Sequence, residues 1–185
     1  MDLSLNTEDI DVLARGFKLA EKERPKVIAR AINRALPKAR TLSGKAIRED
    51  LALPAAYVRE RLTISKSNYT NLTGRLTAKG RPILWGRFKY RVSKKGISAR
   101  IGKQGRRVAR GAFLVNLTAG DKRVRTPAVR IGGRYPGTKN LRFKPLYGPA
   151  IPQVLSEKLP SIEPEIGAYL QEQLSNNVDR LMERI

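Results

Sequence analysis

The chain has 185 residues, 41% hydrophobic and 29% charged, which is enough apolar material for a packed core and too much for a disordered polyelectrolyte. It contains no Cys and no His, which removes disulfides, thiolate nucleophiles, the usual general base near neutral pH and the commonest metal ligands. The formal net charge is +22 and unevenly laid out: residues 51–150 hold 24 basic and 2 acidic side chains, whereas residues 1–23 and 151–185 are each net −3.

The N-terminal stretch MDLSLNTEDIDVL is acidic where a secretion signal is basic, so no export is expected. Asn6 or Thr7 suits the N-cap of a first helix, with Glu8, Asp9 and Asp11 at the positive end of its dipole. Ile10, Leu13, Ala14, Phe17 and Ala20 give that helix one apolar face. Pro25 then fits the first turn of a second helix, whose apolar stripe runs Val27, Ile28, Ala31, Ile32, Ala35, Ala39, Leu42, Ala46 and should bend at Pro37. Leu53-Pro54 opens a short third helix through Tyr57, Val58 and Leu62.

From Thr63 the period shifts towards two. GRLTAKG, RFKYRVS, GISARIG, AFLVNLT, KRVRTPAVRI and LRFKPLY read as strands, with a hairpin turn at Lys94-Lys95-Gly96. IGGRYPGTKN, residues 131–140, reads as a Gly- and Pro-rich loop. Tyr147-Gly148-Pro149 makes a corner, Ile151 to Leu155 looks like a first helical turn, and Ser161 suits the cap of a last helix. That helix carries Ile166, Leu170, Leu174, Val178, Leu181 and Ile185 at helical spacing, a stripe expected to be buried. The layout predicts one α+β domain: a helical part over 1–62, an antiparallel, basic β-rich part over 63–147 and C-terminal helices over 149–185. No stretch reaches the roughly 20 apolar residues of a membrane span.

GGRYPGTK, residues 132–139, comes close to a phosphate-binding P-loop, but Thr138 and Lys139 stand in the wrong order and the segment leads into a strand. The only carboxylates in the central region are Glu60 and Asp121, which leaves little for acid–base chemistry. No cofactor is implied. Two basic constellations remain. On the second helix Lys26, Arg30, Arg34 and Lys38 fall four apart along one face, where a solvated surface and a partner-facing one fit equally well. In the β-rich part Arg100, Lys103, Arg106, Arg107, Arg110, Lys122, Arg123 and Arg125 have almost no acids to balance them, and charge so concentrated implies an anionic partner, either nucleic acid or an acidic protein surface. In WGRFKYRV, Phe88 and Tyr90 share a strand face opposite the arginines, which fits a core-facing strand better than a base-stacking platform.

Several segments together resemble a known family. ARAINRALPKARTLSGKAIREDLALP followed by YVRERLTI, then AKGRPILWGRF, KKGISARIGKQGRRVARGAFLVNL and LYGPAIPQVL are similar to the phage minor tail protein Z family, also called tail completion proteins. The likeness covers roughly residues 28 to 156, and Gly111-Ala112-Phe113 and the corner Tyr147-Gly148-Pro149-Ala150-Ile151-Pro152 carry most of it. The resemblance implies a non-enzymatic virion protein, made in the host cytoplasm, that completes the head-proximal end of a long tail. Its implied partners are the tail tube, tail terminator and head–tail connector, with sequence-independent contact to the genomic DNA and no membrane. Because long tails are six-fold tubes, a homo-oligomeric ring of six is the implied assembly. In such a ring Tyr147, Gly148, Pro149 and Pro152 would fix the angle between sheet and helices, and Ile166, Leu170 and Leu174 would meet the first helix or a neighbouring subunit. The other reading of the charge is a cellular, sequence-independent nucleic-acid-binding protein of the ribosome or nucleoid.

Overall fold

A computed structural model describes residues 7–103, 105–119 and 122–183, with side chains from residue 21 onward except at 119 and 122. Asn6, Asp121 and Ile185 lie outside the described residues, as do the side chains of Ile10 to Ala20 and of Lys122. The elements run α1 (Thr7–Asp50), α2 (Ala55–Arg61), β1 (Leu62–Ser65), β2 (Arg75–Ala78), β3 (Ile83–Leu84), a 3-10 turn at Trp85–Arg87, β4 (Lys89–Ser93), β5 (Gly96–Gly102), β6 (Gly105–Arg110), β7 (Phe113–Ala119), β8 (Lys122–Arg134), β9 (Leu141–Pro145), β10 (Tyr147–Gly148) and α3 (Ile151–Met182). This is the α+β class that the periodicities predict.

The helices differ from expectation in number. The first and second helices are one: α1 runs through both Pro25 and Pro37. The segment between them, KLAEKER, contains only good helix formers and no Gly, and proline's fixed φ is compatible with a helix even though one backbone bond is lost. Ser161 is likewise no cap, because α3 begins ten residues earlier at Ile151 and continues through it. The strand region also differs. GRRVAR, residues 105–110, forms a strand that its lack of apolar alternation hides, and β8 continues to Arg134 through the first four residues of the expected loop.

The chain divides into two compact units. The first contains residues 1–41, 64–77 and 161–185. Within it α1 and α3 run antiparallel: Lys38 pairs with Glu165 at 3.3 Å, the Arg34 guanidinium donates to Gln173 Oε1 at 3.5 Å and Asn177 Nδ2 donates to the Val27 carbonyl at 3.5 Å. Val27, Ala29, Ala31, Ala35, Leu36, Ala39 and Ile162 form its core, where the alanines let neighbouring backbone come close. Gly74 lies against the same helix; a Cβ there would sit 2.4 Å from Ile32 Cγ2.

The second unit contains residues 42–63 and 78–160. Two three-stranded antiparallel sheets, β4-β5-β6 and β7-β8-β9, make up most of it, and β3 pairs antiparallel with β10. Lys94 and Lys95 form the turn between β4 and β5, with Ser93 opposite Gly96. Gly96 is required there: its φ is +132° and a Cβ would lie 2.3 Å from the Ala109 carbonyl oxygen. The core gathers Ile47, Leu51, Val58, Leu62, Ile83, Trp85, Phe88, Ile97, Ala99, Ile101, Ile151 and Val154. The core assignment of Phe88 therefore holds, and Trp85 is buried with it. The end of α1 is tied to β5 by the Ala52 amide, which donates to the Ile101 carbonyl at 2.8 Å.

Gly148 is used differently from the permissive corner expected of it. Its φ is not in the left-handed region; what it supplies is space, since a Cβ would meet the Phe88 ring at 3.1 Å and Ile101 at 3.3 Å. Tyr147 is exposed, Pro149 and Pro152 are half-buried, and α3 starts directly after this close approach.

Candidate functional site

Of the central cations, six fall on the strands of β4-β5-β6. Residues directly opposed across an antiparallel pair share a face, and successive residues alternate. Ile97, Ala99 and Ile101 turn one face of β5 into the core. The opposite face then carries Ser98 and Arg100 on β5, with Lys89 opposite Arg100 and Arg91 opposite Ser98 on β4. On β6, Val108 stands opposite Ser98 and Arg110 opposite Gly96, and Arg106 shares their parity. Arg106 is held there by its own sheet: Nε donates to Ser98 Oγ at 3.2 Å and Nη2 to the Ser98 carbonyl at 3.1 Å.

Lys89, Arg91, Arg100, Arg106 and Arg110 are thus five exposed cations on one small sheet face, with no acidic residue on any of its three strands. Neighbouring positions on such a face lie roughly 5–7 Å apart, so the charges repel one another unless an anion lies across them. The face has no aromatic ring. It offers point charges and guanidinium forks to a polyanion and nothing on which a base could stack.

Lys103 and Arg107 point elsewhere. Arg107 stands opposite Ala99 and lines, with Lys103 and Arg106, a cleft of about 620 Å³ whose other lining includes Glu49, Asp50, Glu157 and Lys158. Asp50 and Lys158 are paired across 3.1 Å. Lys103 and Arg107 thus share a cleft lining with acidic side chains, unlike the cations of the opposite face.

Lys122, Arg123 and Arg125 belong to the other three-stranded sheet, at the start of β8. Arg123 stands opposite Thr118 and Arg125 opposite Asn116, on the face away from buried Val124, Thr126 and Ala128. The basic constellation from Arg100 to Arg125 is thus divided between two sheets with no strand pairing between them among the described residues. What the sequence reading missed is Lys89 and Arg91. The alternation in KYRVS had separated them from the aromatics, but only the pairing of β4 with β5 sets them beside Arg100.

The helical constellation is largely engaged within the chain. Lys26 pairs with Glu23, and that hydrogen bond holds the Glu23 carboxyl below its usual range. Arg34 reaches Gln173, while Lys38 pairs with Glu165 and lies 5.8 Å from the centre of the Tyr169 ring. Arg30 is exposed. The last-helix stripe is only half-covered: Ile166, Leu170 and Leu174 are intermediate in exposure and Val178 is exposed, while Ile162 and Asn177 take the buried positions. Among the described residues no cluster of three or more Asp or Glu is arranged to hold a metal ion, and no helix is long and apolar enough to cross a membrane.

The chain is thus an α+β protein whose most distinctive surface is an exposed cationic sheet face. Comparison with family models gives its family: residues 15–184 match the prophage minor tail protein Z (GPZ) family, and the chain belongs to it. No curated protein and no solved structure matches the chain. Membership places it among the structural proteins of phage tails, in the virion, in the company of other tail proteins.

Proposed function

We propose that this protein completes the head-proximal end of a phage tail, working as a non-enzymatic ring of copies that makes the tail competent to join a head and pass DNA. The observation that carries the reading is the acid-free outer face of β4-β5-β6, with Lys89, Arg91, Arg100, Arg106 and Arg110 exposed together. Within a tail-protein family, such a face suits the one polyanion that must cross the tail. Contacts of this kind fall on phosphates and are indifferent to sequence, as a passing genome requires. The tail tube, terminator and connector are the protein partners this location implies. Family membership weighs against the ribosome- or nucleoid-associated reading, which had only the charge in its favour.

The test is assembly of tails in cells lacking this gene, complemented by the wild type or by a variant with Lys89, Arg100 and Arg106 changed to Gln. The expected result is that tails without the protein fail to give infectious particles, and that the variant yields joined particles that release DNA poorly. Labelling of the protein at the distal tip, or full infectivity in its absence, overturns the reading.

A further inference from the structure

The β8–β9 hairpin outruns the sheet it grows from. β7 pairs with β8 only as far as Ala128, whereas β8 and β9 pair through Arg130 and, past a shift of register, again at Arg134 and Leu141. Every residue from Arg130 to Arg142 is exposed. A two-stranded ribbon without a third strand or a covering helix is marginal in water. It is stiffened along its length by an edge-to-face chain of Phe113, Phe143 and Tyr135, each step 6.2 Å between ring centres. It shows Ile131 and Leu141, 44% and 47% exposed, among Arg130, Arg134, Lys139 and Arg142, with no acidic residue in the segment. Phosphates would answer the cations but not the apolar side chains. The mixture suits a protein surface that is both acidic and apolar.

The same chain exposes that chemistry on α3. Glu165, Glu172 and Asp179 recur every seven residues and so form one stripe, exposed along its length. Beside it Val178 and Met182, one turn apart, are 45% and 65% exposed. Glu165 is shared with Lys38, which leaves Glu172 and Asp179 as the acids facing outward beside the apolar pair.

We propose that the β8–β9 hairpin of one copy docks on this exposed face of α3 in a second copy, its arginines against Glu172 and Asp179 and its apolar side chains against Val178 and Met182. The two surfaces differ, so the contact is heterologous: each copy offers a hairpin to one neighbour and a helix to the other, and the chain of contacts closes into a ring when the rotation allows. This rests on the assembly part of the reading above and is independent of what meets the β4-β5-β6 face.

The experiment uses the purified full-length protein and two charge-reversed variants, Arg134→Glu with Arg142→Glu, and Glu172→Lys with Asp179→Lys. Mass is followed by light scattering and sedimentation over a range of salt and protein concentration. The wild type is expected to associate with a salt-weakened affinity, and each variant to associate about a hundredfold less tightly or worse, because like charges meet across the interface. Mixing the two variants restores association, since the reversed hairpin of one fits the reversed helix of the other. This recovery also shows that both variants are folded. A wild type that stays monomeric, variants that assemble as it does, or a mixture that fails to recover overturns the proposal. So does a hairpin variant with unchanged mass and weakened binding to duplex DNA, which would make the hairpin a nucleic-acid contact. None of these outcomes bears on whether tails need the protein, so failure here and failure of the tail-completion reading are separable.

Discussion

Asn33 on α1 clamps the backbone of Ser67, 34 residues away. Its Nδ2 donates to the Ser67 carbonyl at 2.9 Å and its Oδ1 accepts from the Ser67 amide at 2.9 Å, while Ser67 Oγ donates to the Ala29 carbonyl at 3.2 Å. Ser67 is 6% exposed, so one amide side chain satisfies both backbone groups of a buried residue that no ladder serves. Asn33→Ala is therefore expected to cost about 1–3 kcal/mol, the penalty of leaving buried donors and acceptors unpaired. Ser67→Ala removes only the hydroxyl bond and should cost about 1 kcal/mol. Denaturant unfolding of the two variants checks the order.

Two glycines should respond in opposite ways. Gly96→Ala forces a side chain into a left-handed backbone and against the Ala109 carbonyl, and a loss of roughly 1–3 kcal/mol is expected. Gly132 has open space around it and no positive φ, so Gly132→Ala should stay within about 0.5 kcal/mol of the wild type. Thermal melts of both variants decide whether the β4–β5 turn is as constrained as its geometry indicates.

Duplex DNA offers a direct probe of the cationic face. If Lys89, Arg100 and Arg106 contact phosphates, changing all three to Gln should flatten the log–log salt dependence of binding by roughly two to three units, at about 0.9 per phosphate released. The variant should still fold, because exposed cations contribute little to stability and Gly96 keeps the β5–β6 register when the Arg106–Ser98 bonds are lost. Changing Lys26, Arg34 and Lys38 to Gln should leave the slope as it was, since these three already have partners within the chain. Equal effects from both triples would mean that total charge, not this face, governs binding.

The last helix should tolerate truncation unevenly. Ile162 is 9% exposed and Ile162→Ala is expected to cost about 2–4 kcal/mol. Leu174 is only half-covered, so Leu174→Ala should cost about half as much or less. Unfolding measured at low protein concentration compares them in the isolated chain. A cost at Leu174 equal to that at Ile162 would show the stripe to be packed more fully than its exposure indicates.

Strand segments with clear alternation were readable in advance. GISARIG forms β5 over its full length, and the two-residue Lys94-Lys95 turn follows from the Gly after it. Phe88 was readable as core because its parity opposes the neighbouring cations. The helix-start signals misled. Pro25 and Ser161 mark plausible helix starts, but a terminus is decided by whether the flanking residues have better partners outside the helix, and here α1 and α3 pack along each other through Lys38, Arg34 and Val27.

What the sequence determined by itself is the chemistry: no Cys, no His, a central hundred residues with almost no acids, and the ordered segments that mark the tail-protein family. Those are properties of residue identity and survive any folding. Which cations stand together is a property of pairing. β6 has no apolar alternation to announce it, yet its register with β5 sets Arg106 and Arg110 on the face shared with Lys89, Arg91 and Arg100 and turns Arg107 towards a cleft with Glu49 and Asp50. A slip of one residue in that ladder would exchange the two faces, and nothing local to GRRVAR fixes it. Gly96, too close to Ala109 to carry a side chain, and the Ser98–Arg106 hydrogen bonds hold the register, and both exist only once the strands have met.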